Sequence, residues 1–185
     1  MRVLSIVFLV FVSTCAVFAQ ADDYVGSGTL RYDDYIYKNT IKTVQFNEGS
    51  SAFSTPILIL GGGTSLNLEF DDLDVEQKLY TITFVHCNAD WTPSNLMQGE
   101  YLSGYSDLNI LNFKFSVNTL QTYAHYYINF PQQNIEFTKS GNYLMIVFVN
   151  GNRDDIAITR RFMVIDNRIQ FDATVRQTMG GGQFS

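Results

Sequence analysis

Short segments in which apolar and polar residues alternate recur along the chain, and this period of two restricts the fold more than any other feature of the sequence. In "SLNLEF", Leu66, Leu68 and Phe70 share one face while Asn67 and Glu69 share the other. "LNFKFSV" repeats the arrangement, with Leu111, Phe113, Phe115 and Val117 opposed to Asn112, Lys114 and Ser116. Successive side chains of a strand point to opposite faces, so both segments read as strands with one face buried. No window carries a convincing helical stripe.

Further strands are expected at 40–46, 54–60, 80–87, 122–130, 143–149 and 156–165, all rich in β-branched and aromatic residues that suit a pleated surface. That makes eight, with a ninth near 31–37. Asn150-Gly151 opens the loop "NGNRDD", and both residues tolerate the positive φ of hairpin loops, so the last two strands are expected to pair. Gly61-Gly62-Gly63 separates two strands in the same permissive way. In "KSGNYLMIV" a turn leads into a tyrosine at the start of a strand, as at the corner of immunoglobulin-like sandwiches, where the hydroxyl ties back to the preceding loop. Tyr143 is the candidate for that role. The expected fold is all-β, an antiparallel immunoglobulin-like sandwich of about eight or nine strands within residues 20–170.

Arg2, an apolar run from Val3 to Val12 and small or polar residues up to Val17-Phe18-Ala19 follow the order of an export signal, so residues 1–19 are read as a signal peptide. The apolar run is about ten residues, short of the roughly twenty that span a bilayer, which disfavours a retained anchor. Cys15 leaves lipid attachment as an alternative, although Thr14 before it is larger than the usual small residue. At the other end, "QTMGGGQFS" makes 171–185 a glycine-rich tail or the start of a further domain.

The chain has 12 Lys and Arg against 18 Asp and Glu, a net charge of −6, and no basic cluster. Such a surface repels nucleic acid, whose binding depends on phosphate contacts. Only Cys87 remains once the leader is removed, so no disulfide can form within the mature chain and stability must come from the core. Aromatic residues at 15% supply much of that burial, and a charged fraction of 16%, below the usual quarter or so, argues against disorder.

The densest chemistry lies in "VHCNADWTPSNL", which sets His86, Cys87, Asp90 and the single tryptophan, Trp91, close together. Alternation along a strand sends His86 and Cys87 to opposite faces, so they do not share a metal or form a dyad. A structural zinc needs about four ligands, and His125 is the only other histidine. A Cys87 nucleophile with His125 as base stays open as an enzyme reading, against that of an inert core thiol. The favoured reading is a structural corner: Asn88 and Asp90 fold back onto local N–H groups, Thr92-Pro93 leaves the strand, and Trp91 closes the end of the sandwich.

"FDDLDVE" invites a calcium reading, but it lacks the glycine and distal glutamate of an EF-hand loop and reads as a solvated turn. Tyr35, Tyr37, Tyr101 and Tyr105 are weighed as a sugar-stacking platform, the basis of an alternative function as an exported carbohydrate-binding module. Of the adjacent Arg160 and Arg161, one must point inward, where it needs a carboxylate from Asp90 or from residues 71–74. No catalytic residue, metal or cofactor is expected.

Taken together, "YIYKNTIKTVQF", "STPILILGGGTSLNLEFDDLD", "YTITFVHCNADWTPSNLMQGEYLSGY", "KFSVNTLQTYAHYYINFP", "SGNYLMIVF" and "TRRFMV" resemble the amino-terminal domain of type IX secretion system plug proteins, in order and spacing, from about Tyr35 to Ile165. The most specific pieces are His86-Cys87-x-x-Asp90-Trp91, Phe70-Asp71-Asp72, Ser140-Gly141-Asn142-Tyr143 and Arg160-Arg161-Phe162. The resemblance implies a periplasmic, non-enzymatic β protein at the inner face of the outer membrane. Its partner would be the translocon barrel of that system, with no nucleic acid and no small-molecule substrate. It also implies a longer protein, with further domain sequence after the Arg-Arg-Phe strand. His86, Asp90, Trp91, Tyr101, Tyr105, Tyr143, Arg160 and Arg161 are the expected structural or interaction residues, and segment 90–105 is the nominated recognition loop.

Overall fold

The computed structural model describes residues 30–49, 54–74, 76–132 and 134–167. The expected signal peptide, Cys15 and the glycine-rich tail lie outside the described residues. Among these residues the order is β1 (Tyr35–Ile36), β2 (Ile41–Glu48), β3 (Ile57–Ile59), β4 (Leu66–Asp72), β5 (Tyr80–Cys87), α1 (Gln98–Tyr101) and β6 (Leu102–Gly104). Then come β7 (Asp107–Ile110), β8 (Asn112–Phe115), β9 (Ala124–Phe130), β10 (Ile135–Phe137), β11 (Gly141–Val149) and β12 (Asn152–Ile165).

One sheet runs β1-β12-β11-β5-β7, with β3 also on β12; a second runs β2-β4-β9-β8; β6 and β10 form a separate ribbon. The architecture is the expected all-β antiparallel sandwich, with two differences. Strands β6, β7 and β10 were not foreseen, because three or four residues are too few to display a period. Strand β3 pairs parallel to the carboxyl end of β12, Met163 facing Ile57 and Ile165 facing Ile59. The expected β11–β12 hairpin is present, with Asn150 at φ 53° and Gly151 at φ 72°.

The two sheets are covered differently. Strands β4 and β9 alternate strictly, burying Leu66, Leu68 and Phe70 and Tyr126, Ile128 and Phe130 on the inner face while their outer face stays polar. Strands β5 and β11 are buried almost continuously, the pattern of strands covered on both sides. On the inner side Tyr80, Ile82, Phe84, Tyr143, Met145 and Val147 join the main core. Its rings meet at close quarters, Phe84 on Phe130 at 5.0 Å and Tyr143 on Phe162 at 5.3 Å between centroids. Each such side chain contributes about 1.5–3 kcal/mol on full burial, so the aromatics dominate the cohesion. On the outer side Val85, Cys87, Leu144, Ile146 and Ile156 form a second cluster, packed by Leu30, Tyr32, Tyr37 and Trp91. Residues 30–40 therefore cross the back of the first sheet rather than adding a long strand; among the described residues Tyr35–Ile36 pair with β12, and the Tyr37 N–H donates to the Ala157 carbonyl at 2.9 Å.

Strand β2 carries a bulge. Ile41 and Phe46 are both buried although they are of opposite parity, so one extra residue must be absorbed between them. It is absorbed at the register shift between Lys42 and Gln45, where Thr43 takes φ 52°.

Candidate functional site

The sequence-nominated residues separate into an internal lock and an external clamp on the two faces of β5. His86 lies on the inner side at the strand's end, its ring 5.0 Å from that of Tyr143 and 5.7 Å from that of Tyr101. Its Nδ1 is 2.9 Å from Ser94 Oγ, across the turn that follows the strand. Tyr143 is fully buried and its hydroxyl donates to the Lys139 carbonyl at 2.7 Å, tying strand β11 to the loop before it. Tyr101 is equally buried, and its hydroxyl donates to the Phe84 carbonyl at 3.0 Å. The phenols thus satisfy their polar ends on backbone while their rings close the core, which excludes both from surface recognition.

Beyond Cys87 the chain turns back sharply. Asn88 N donates to the Thr92 carbonyl at 2.8 Å, and both the Thr92 N–H and its hydroxyl donate to Asp90 Oδ1, at 3.0 and 2.6 Å. These bonds from Thr92 hold the Asp90 carboxyl below the usual carboxylate range. Trp91, at φ 67°, is carried by this turn onto the outer cluster rather than over the end of the main core, which corrects the expected placement. The Arg161 guanidinium lies 4.4 Å above its ring and its Nε donates to the Tyr32 carbonyl at 2.6 Å. One side chain therefore holds the Trp91 turn and the crossing segment together.

Arg160 is the inward arginine, sharing parity with Ile158 and Phe162. Among the described residues it finds no carboxylate: its NH1 group donates to the carbonyls of Thr159 at 2.8 Å and Tyr35 at 3.3 Å, so the expected ion pair with Asp90 or residues 71–74 is overturned. Burial draws its pKa down from the ordinary value, with Asp34 opposing. Between the pairings of β1 and β3 on this edge of β12, Asp34 Oδ1 accepts the Arg161 N–H at 2.7 Å.

Tyr105 stands apart on the surface, 63% exposed. The four-tyrosine platform does not assemble: Tyr101 is inside, and Tyr35 and Tyr37 meet edge to face at 81° with Arg31 over Tyr35. The thiol route is closed by geometry as well. Cys87 faces the outer cluster of one sheet while His125 lies on the outer face of the other, bound to Asp71 Oδ1 at 2.7 Å. Burial pushes the Cys87 thiol up to about 11, so it is neutral at physiological pH. Among the described residues no group of three or more His, Cys, Asp or Glu gathers as a metal site.

Two features escaped the sequence reading. Asp72 is fully buried, accepting from Tyr80 OH at 2.7 Å and Lys78 Nζ at 3.0 Å, so "FDDLDVE" is not simply a solvated turn. Its parity with Leu66, Leu68 and Phe70 was the available signal. The other is a polar array on the outer face of the second sheet, which becomes visible only once the register is known. Asn47, Asn67 and Asn129 lie directly opposite one another across three strands, as do Gln45, Glu69 and Tyr127.

The family described as "Type 9 secretion system plug protein 1st domain" matches residues 41–166. The crystal structure of a hypothetical protein from Parabacteroides merdae ATCC 43184 is similar, at 32% identity and a TM-score of 0.70. The match covers 75% of this chain and 35% of that one, so the chain spans about a third of the relative's length. Pseudomonas fluorescens alkylpurine DNA glycosylase AlkC, bound to DNA containing an abasic site analogue, aligns at 13% identity over 68% of this chain and 30% of its own. Its TM-score of 0.35 is too low to carry an argument. No curated protein matches.

Proposed function

The chain belongs to the type 9 secretion system plug protein family, matching its first domain over residues 41–166, and from this we propose that it is a periplasmic plug or accessory component of that system. In this role it closes the periplasmic side of the outer-membrane translocon by protein–protein contact, and it is not an enzyme. The observation that carries the reading is the family match.

The physics of the fold supports it. A pore wide enough for folded cargo is closed only by a body that does not deform, and close-packed interiors have low compressibility. Strands β5 and β11, buried on both faces, give such a body a stiff centre. The partner is the translocon barrel, and within segment 90–105 the exposed Met97 and Tyr105 are the large apolar side chains offered to it.

The test is deletion of the gene in a strain that retains the translocon, followed by uptake of an antibiotic too large for the ordinary porins. Increased uptake, reversed by the full-length gene, is expected. Uptake equal to that of the parent overturns the sealing role.

A further inference from the structure

We propose that the outer face of the four-stranded sheet is a binding site for an uncharged oligosaccharide, independent of the secretion role. Gln45, Asn47, Asn67, Glu69, Tyr127 and Asn129 line a shallow cavity of about 510 Å³ there, within the size range of small-molecule sites. They come from β2, β4 and β9 in two in-register rows, so their spacing is fixed by the sheet and costs little to organise on binding. The β2 bulge makes this arrangement: by letting Ile41 and Phe46 both face the core, it turns Gln45 and Asn47 outward together.

Folding does not account for all of these residues. Asn is depleted in strands, and an outward face with no other duty is better served by Thr or other β-branched residues. In the cross-strand row Asn47, Asn67 and Asn129, the exposed Asn129 therefore costs stability without adding to the core. Asn67 donates to Glu69, while the Gln45 and Asn129 side chains bond to none of the described residues and point to solvent.

The chemistry of the lining selects the ligand. Amides offer donors and acceptors side by side, matching hydroxyl groups that do the same. The one charged lining side chain is Glu69, which disfavours phosphates, nucleotides and acidic sugars. The half-buried Tyr127 ring, with His125 at 6.0 Å and the Lys114 ammonium 5.5 Å from its centroid, contributes the apolar part of the lining that a sugar ring would meet. A folded protein partner would require an apolar centre, and apart from Tyr127 the lining has none.

The experiment uses the ¹⁵N-labelled full chain titrated with chitotetraose, cellotetraose or the acidic tetragalacturonate. The side-chain amide resonances of Asn47, Asn67 and Asn129 are expected to move saturably with a neutral tetrasaccharide but not with tetragalacturonate. Trp91 fluorescence should stay constant, since Trp91 packs on the outer face of the other sheet. No saturable movement with either neutral sugar, or equal movement with the acidic one, overturns the site. A variant carrying Gln45→Thr and Asn129→Thr is expected to melt at or above the parent temperature and to bind at least about tenfold more weakly, a loss of about 1.4 kcal/mol. A lower melting temperature in this variant assigns the amides to the fold and refutes the proposal.

Discussion

The Tyr80 hydroxyl and the Lys78 ammonium converge on one oxygen of Asp72, Oδ2, at 2.7 and 3.0 Å, while the Asp74 N–H donates to the other at 3.1 Å. Asp72 is fully buried where β4 ends, and Lys78 also pairs with Asp74 at 2.9 Å. Burial alone would raise its pKa, but the hydrogen bonds from Tyr80, Lys78 and the Asp74 N–H outweigh that and hold it below the ordinary value. A depressed folded-state pKa contributes stability above the unfolded value of about 4 and loses it as pH falls through the folded value. Asp72→Ala strands buried donors and is expected to cost about 3–5 kcal/mol. Asp72→Asn removes the charge and turns one acceptor oxygen into a donor, a loss that does not titrate, so in urea melts from about pH 7 to about pH 2 only the charge-dependent part of its deficit against the parent should narrow below about pH 4. A deficit independent of pH would show that the charge contributes nothing.

Asp72 also shows where the sequence misleads. The inward series Leu66, Leu68, Phe70 continues to it without a break, but a carboxylate among other carboxylates reads as a turn because the neutralising Lys78 and Tyr80 are recognisable only in three dimensions. Fold class was legible because β4 carries its alternation openly and the Asn150-Gly151 turn announces the last hairpin. The buried face expected for 111–117, by contrast, is overturned: of its apolar residues only Phe113 packs against the core, and Leu111, Phe115 and Val117 are exposed at the sheet's edge strand. Trp91 was misplaced because its cover is non-local, depending on a positive-φ turn and on a segment some sixty residues earlier that crosses the sheet's back. The asparagine row needed the registers of three strands, one of them bulged, and no single-strand pattern contains that information.

Gly141 and His86 fit only because one of them lacks a side chain. A Cβ on Gly141 would lie 2.5 Å from His86 Nε2, and the residue sits at φ 149°, which side chains rarely adopt. Gly141→Ala is therefore expected to destabilise by about 1–3 kcal/mol through strain and overpacking. His86→Ala relieves the contact but not the backbone strain, so the double variant should recover part of the loss, with a coupling of about 0.5–3 kcal/mol. Strictly additive losses in denaturant unfolding of the four proteins would show that the ring is not what the new methyl meets.

Trp91 and Arg161 close the outer cluster that contains Cys87, and the thiol can report on that closure. In the native chain Cys87 is almost inaccessible and burial raises its pKa to about 11, so both access and thiolate fraction limit its reaction. Trp91→Ala removes the ring that Arg161 covers at 4.4 Å and opens the turn side of the cluster. Alkylation of Cys87 by iodoacetamide at pH 8, followed by peptide mass spectrometry, should then be at least about tenfold faster, because exposure both admits reagent and returns the pKa toward its unperturbed value. Arg161→Ala leaves the ring in place but releases its cation, worth about 0.5–2 kcal/mol, and should shift Trp91 emission to the red with a smaller gain in alkylation. If Trp91→Ala is labelled no faster than the parent, the cover is supplied by Leu30, Tyr32 and Tyr37 alone, and the turn that carries Trp91 is not a closing element of the fold.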